Sequence, residues 1–131
     1  MDATTCRRPL RIAIVDDTPV FRKGLRSALE RQPGLEIVAE AEDGRRAIEL
    51  AERARPDVIL MDLSMPVLNG IDATRVITAS HPEIRVIILS MHASENVSDA
   101  AAAAGACRCL AKERTLTEIL RSIRECRAEC A

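Results

Sequence analysis

Five short apolar runs, each followed by a segment whose apolar residues recur every three or four positions, make up most of this chain. LRIAIV (10–15) is continuous and rich in β-branched residues, which predicts a strand. Thr18 is placed to cap the following helix and Pro19 suits its first turn. Phe21, Leu25, Ala28 and Leu29 then repeat on one helical face, and QPG (32–34) stops it. LEIVAE (35–40) predicts a second strand. Asp43 and Gly44 open a helix through Ala47, Ile48, Leu50, Ala51 and Ala54, and Pro56 ends it. DVILM (57–61) predicts the third strand, and Gly70 to Ser80 the next helix, closed by His81-Pro82. IRVIILS (84–90) is the fourth strand. Ser94 is placed to cap a helix running through the alanines 100–104 and stopping at Gly105. CRCLA (107–111) is a short fifth strand. Thr115 and Glu118 have the spacing of a capping box, and Leu116, Ile119, Leu120 and Ile123 form the stripe of a last helix.

Continuous apolar strands alternating with helices imply a parallel sheet covered on both faces. With right-handed crossovers, five strands predict a doubly wound α/β sheet of order 2-1-3-4-5, the flavodoxin-like arrangement. The length fits one domain with a real core. No internal repeat or low-complexity linker interrupts it. A net charge of −1 gives no bulk attraction to nucleic acid or acidic membranes. No apolar run approaches the length of a spanning helix, and the first residues, MDATTCRRPLR, lack the apolar stretch of a signal peptide, so the expectation is a cytoplasmic protein.

In such a sheet, ligands bind beyond the carboxyl ends of the strands, where strand order reverses. Strand one ends in Asp16-Asp17, strand three in Asp62, strand four in Ser90 and strand five in Lys112. A strand-end Asp is ordinarily a cap or turn residue; here the joint placement is the signal. Clustered carboxylates raise one another's pKa, and a hard cation such as Mg²⁺ relieves the repulsion. Lys112 adds a positive charge and Ser90 a hydroxyl for an anion. Lys112 stands out further because only Lys23 and Lys112 are lysines among nineteen basic residues. Together these groups suit phosphoryl transfer to a carboxylate nucleophile.

From about residue 10 to 127 the chain resembles the receiver domain of bacterial response regulators. The matching pieces are IVDD (14–17), MDLSMP (61–66) with Gly70, Ser90, and Lys112 after the Gly-Ala that leads into strand five. DDTPVFRKGL (16–25) is similar to the NarL/FixJ type, with Thr18 where that type often has His. The resemblance implies that Asp62 accepts a phosphoryl group from the phosphohistidine of a sensor kinase. It implies that Asp17, Asp62 and the Ser64 backbone carbonyl bind Mg²⁺, with Asp16 acting near the ion or through water. Ser90 and Lys112 would contact the phosphoryl oxygens. His92 and Ser64 occupy positions that tune phosphoryl lifetime in the family, although an exposed loop histidine is the simpler reading of His92. Output is expected through the fourth helix, fifth strand and fifth helix, by dimerisation or partner docking. The expectation over 1–131 is a single receiver, with no effector domain and no nucleic-acid contact of its own. One departure is Cys109, which stands where receivers usually carry the Tyr or Phe that reports phosphorylation.

Two alternatives belong to other classes. An aspartyl-phosphate phosphatase would place its nucleophile at the end of strand one with Asp-x-Asp spacing, which Asp16-Asp17-Thr18 lacks, and would need a cap. A receiver that binds its partner without phosphorylation would not need the acidic group and Lys112 intact. The five cysteines, 6, 107, 109, 126 and 130, read as reduced thiols, since neither a disulfide scaffold nor a common zinc spacing is present.

Overall fold

A computed structural model of the chain describes residues 9–91, 95–113 and 116–130. Five parallel strands form one sheet in the order β2-β1-β3-β4-β5. They are β1 (Leu10–Val15), β2 (Leu35–Ala41), β3 (Val58–Asp62), β4 (Arg85–Ser90) and β5 (Arg108–Ala111). The helices between and after them are α1 (Pro19–Glu30), α2 (Gly44–Ala54), α3 (Gly70–Ser80), α4 (Glu95–Ala103) and α5 (Leu116–Cys130). The expected sheet order and element sequence hold.

Alternation along each strand divides the core into two layers. Ala13, Val15, Ile59, Met61, Val86 and Ile88 face α2, α3 and α4 through Ala47, Leu50, Ala51, Ala73, Ile77 and Ala101. Leu10, Ile12, Ile14, Val58, Leu60, Ile87 and Leu89 face α1 and α5 through Leu25, Leu29, Ile119, Leu120 and Ile123. Both faces of the inner strands β1, β3 and β4 are therefore dry, which explains why their runs are continuously apolar, while the edge strands β2 and β5 are half-buried. Small alanines on α2, α3 and α4 let those helices sit close to the sheet.

Register brings the strand ends level. Val15 pairs with Met61, Asp62 with Leu89, and Ser90 with Ala111. The chain therefore leaves the sheet at Asp16, Leu63, Met91 and Lys112 along one edge. A register shift between Ile12 and Ala13 interrupts the β1–β2 ladder, away from that edge.

Local signals behave differently at different helix starts. Asp43 caps α2 by accepting from the Arg46 amide at 2.8 Å, and Asn69 caps α3 by accepting from the Asp72 amide at 2.8 Å. Thr18 holds the cap position of α1 with an extended backbone, but its side chain makes no capping bond. Its amide instead donates to Asp16 Oδ1 at 2.7 Å. The start of α1 is thus tied to the acidic site rather than capped by its own hydroxyl. Ser94 and Thr115, the other two expected caps, lie outside the described residues, as does His92.

The cysteines depart from expectation. Cys107 and Cys126 form a disulfide, with Cα atoms 6.3 Å apart. α5 returns across the face of the sheet that Cys107 faces at the entrance to β5, so two residues distant in sequence become neighbours. Among the described residues Cys109 is a free thiol.

Candidate functional site

Three carboxylates meet at the carboxyl edge of the sheet. Oxygens of Asp16, Asp17 and Asp62 all lie within 4.8 Å of one another. Asp16 and Asp62 are 2% and 4% exposed, whereas Asp17 faces solvent. Lys112 reaches across from the end of β5. Its Nζ lies 2.8 Å from Asp16 Oδ2 and 3.1 Å from Asp62 Oδ1. The Lys112 amide donates to the Ser90 carbonyl at 2.8 Å, so the end of β4 fixes where the lysine departs. Ser90 is itself buried at the end of β4. Ser64 lies exposed in the loop just after β3. The geometry thus gathers Asp16, Asp17, Asp62 and Lys112 into one cluster, with Ser90 and Ser64 on the adjoining strand end and loop.

Charge in this cluster does not balance. Burial, and then the Asp16 charge, push the Asp62 carboxyl up to about 6, against the opposing pull of Lys112. Burial pulls the Lys112 ammonium down, but the bonds and charges of Asp16 and Asp62 outweigh it and hold the group above the usual lysine value. One lysine therefore cannot satisfy three carboxylates. A hard divalent cation fits this oxygen-only donor set, which offers charge and one solvent-facing side. Asp16, Asp17 and Asp62 are the group among the described residues able to hold one.

Two backbone features shape the loop after Asp62. At Gly70, a Cβ would come 2.1 Å from the Asp62 carbonyl oxygen, so only hydrogen fits there. The Gly70 amide donates to Leu63 O at 2.8 Å and closes the loop onto the strand end. Within it, Val67 has φ 71°, and the Leu68 amide donates to Pro66 O at 2.7 Å. This three-residue γ-turn puts a β-branched side chain in left-handed backbone space, a strained arrangement.

One neighbour was not legible in the sequence. The Phe21 ring lies under the Lys112 ammonium, 4.7 Å from Nζ to ring centre. The aromatic face favours the cation and helps keep Lys112 over the carboxylates. The available signal was that Phe21 is the sole aromatic residue and falls in the first turns of the helix after Asp17. Cys109 packs in the layer facing α4, where burial pushes its thiol up and a bond to Ser98 opposes the shift.

Comparison with known proteins adds independent observations. The family model for the response regulator receiver domain matches residues 12–124. The transcriptional regulatory protein DegU of Brevibacillus brevis is 38% identical over 115 residues, covering 88% of this chain and 49% of that protein. The nitrate/nitrite response regulator protein NarP of Escherichia coli is 40% identical over 116 residues, covering 88% of this chain and 54% of that protein. The signal receiver domain of the response regulator NarL from Mycobacterium tuberculosis superposes with a TM-score of 0.87 at 32% identity, covering 92% of this chain and 97% of that one. The chain spans about half the length of the curated relatives DegU and NarP.

Proposed function

The chain belongs to the response regulator receiver domain family, and from that premise we propose that Asp62 is its phosphoacceptor. The observation that carries this reading is the position of Lys112, bonded to Asp16 and Asp62 while Asp17 completes the acidic group. A carboxylate at the dry end of a strand, beside a cation and two further carboxylates, is a nucleophile held in place.

In this reading a sensor histidine kinase presents its phosphohistidine to the acidic edge. An Asp62 carboxylate oxygen forms a bond to phosphorus, and the phosphorus–nitrogen bond breaks. The electron pair stays on the imidazole nitrogen, which takes up a proton. Asp16, Asp17, Asp62 and the Ser64 carbonyl would hold Mg²⁺, which when bound neutralises carboxylate and phosphoryl charge. Lys112 keeps its place over Phe21 and turns from the free carboxylate to the phosphoryl oxygens, and the Ser90 hydroxyl donates to them. The domain acts as a regulator, and any hydrolysis of its own acyl phosphate is a slow reset.

The proposed output runs through α4, β5 and α5, by homodimerisation or by docking on a partner. Control of transcription would belong to a longer parent protein, as the name of the DegU relative suggests. The proposed place of work is the cytoplasm, beside the kinase, with no contact to nucleic acid or membrane by this domain. No helix among the described residues is long and apolar enough to cross a membrane.

Beryllofluoride, a phosphoryl mimic, tests the reading without a kinase. With Mg²⁺ present, fluorine NMR is expected to show bound resonances for the wild type and none for Asp62→Asn. Bound resonances of equal intensity in the variant would place the acceptor elsewhere.

A further inference from the structure

The strand that carries Lys112 at its exit carries Cys107 at its entrance. The Cys107 amide donates to Val86 O at 2.7 Å, which pins that point to β4. Cys126 lies in the third turn of α5, fully buried on the same side of the sheet. The Cα separation of 6.3 Å falls within the roughly 4.4–6.8 Å that a disulfide spans without backbone movement. Docking of α5 thus presents the two sulfurs to each other.

The two sulfurs have unequal surroundings. Cys107 is partly exposed, whereas Cys126 is closed off. Arg108 Nη1 lies 3.6 Å from Cys107 Sγ and donates to the Cys107 carbonyl at 2.9 Å. Arg108 is held in turn by Glu125, at 3.7 Å, next to Cys126 in the chain. A guanidinium beside a reachable sulfur favours the thiolate, the form that attacks disulfides. Cys126 has no such approach from solvent and is placed to react only with its neighbour.

We infer that Cys107 and Cys126 form an oxidation site, in which a small-molecule disulfide of the glutathione class closes a bond that staples α5 to the start of β5. The Cys107 thiolate attacks one sulfur of the small molecule and the other leaves as a thiolate. Cys126 loses its proton and attacks the Cys107 sulfur, expelling the second small thiolate. Two protein thiols are oxidised to one disulfide, and the small disulfide is reduced to two thiols. The bond joins residues 19 apart in sequence, and the segment it encloses contains Lys112. In the oxidised form a covalent bond ties α5 to the start of β5, and in the reduced form the apolar packing of Ile119, Leu120 and Ile123 holds the helix without it. The chemistry does not depend on the role of Asp62.

The full chain is equilibrated in glutathione buffers graded from reduced to oxidised, quenched by alkylation, and read by intact mass and peptide mapping. Wild type is expected to lose two alkylatable thiols, to yield a cross-linked peptide joining Cys107 to Cys126, and to regain both thiols in reduced glutathione. Cys126→Ala is expected to accumulate glutathione on Cys107, and Cys107→Ser to accumulate none on Cys126. The wild-type mapping decides the matter even if a variant folds poorly. Persistently alkylatable Cys107 and Cys126 in the oxidised buffer would overturn the inference. So would a cross-link to Cys6, Cys109 or Cys130, or a bond that reduced glutathione does not open.

Discussion

The Lys112 ammonium lies 3.1 Å from the Asp62 carboxylate, and both side chains are nearly closed to solvent, at 9% and 4% exposure. Even so, Asp62 is harder to ionise than an ordinary carboxylate, because burial and Asp16 outweigh the lysine. The unmodified site is thus held charged at some cost to the fold. That imbalance underlies the predictions for charge and cation binding.

Asp62→Asn is expected to stabilise the metal-free domain at pH 8. The folded-state pKa of Asp62, about 6, lies above that of a free carboxylate, so the native state binds the proton more tightly. Ionisation then costs stability above pH 6, by up to about 1–3 kcal/mol. Asn escapes that cost. Thermal denaturation should show the advantage of the variant shrinking as pH falls through 6 and vanishing near the ordinary carboxylate value. An advantage that stays constant with pH would show that it does not come from this ionisation.

Asp17→Ala should weaken Mg²⁺ binding at least about tenfold, a loss of some 1.4 kcal/mol. Asp17 is the solvent-facing member of the acidic group, so its removal takes away a ligand with little effect on the core. Calorimetric titration alongside a thermal melt separates the two effects. Unchanged affinity would remove Asp17 from the cation site.

The loop after Asp62 yields opposite effects at two positions. Gly70→Ala pushes a methyl group into the Asp62 carbonyl and should cost more than about 2 kcal/mol. Val67→Gly relieves left-handed strain at an exposed position and should stabilise by about 1 kcal/mol. Chemical denaturation of the two variants checks both signs. A destabilised Val67→Gly would mean that the γ-turn is not strained in solution.

Cys109→Tyr should enlarge the change that activation produces. Cys109 faces α4, and a small thiol fills little of any space opened by movement of Ser90. On the proposed output through α4, β5 and α5, the alanines of α4 offer only small side chains to repack. The two states of the wild type should therefore differ by only about 1–3 kcal/mol. Amide exchange with and without beryllofluoride should show a larger difference over 91–111 in the Tyr variant. An equal or smaller difference would mean that the missing aromatic does not limit switching.

How much could be read from the sequence depended on the range of the interaction. β1 and α3 have the bounds expected from their apolar runs and end signals, because local pattern and burial agree there. The clustering of Asp16, Asp17, Asp62 and Lys112 was legible because the sheet order brings the ends of β1, β3 and β5 to one edge. β5 begins one residue later than expected, at Arg108. The disulfide, the Phe21–Lys112 contact and the bond from Thr18 to Asp16 depend on how α1 and α5 dock. No spacing along the chain encodes that docking. The cap expected at Thr18 is absent: its side chain makes no capping bond, and its own amide is turned to Asp16 Oδ1.

Incubation of wild type and Asp62→Asn with acetyl phosphate and Mg²⁺, followed by intact-mass spectrometry, tests whether Asp62 is the phosphoacceptor. One phosphoryl adduct is expected on the wild type, lost when Mg²⁺ is chelated, and none on the variant, which keeps the shape of Asp62 without its nucleophilic charge. The same adduct on Asp62→Asn, at the same yield, would contradict the assignment of Asp62 as the acceptor.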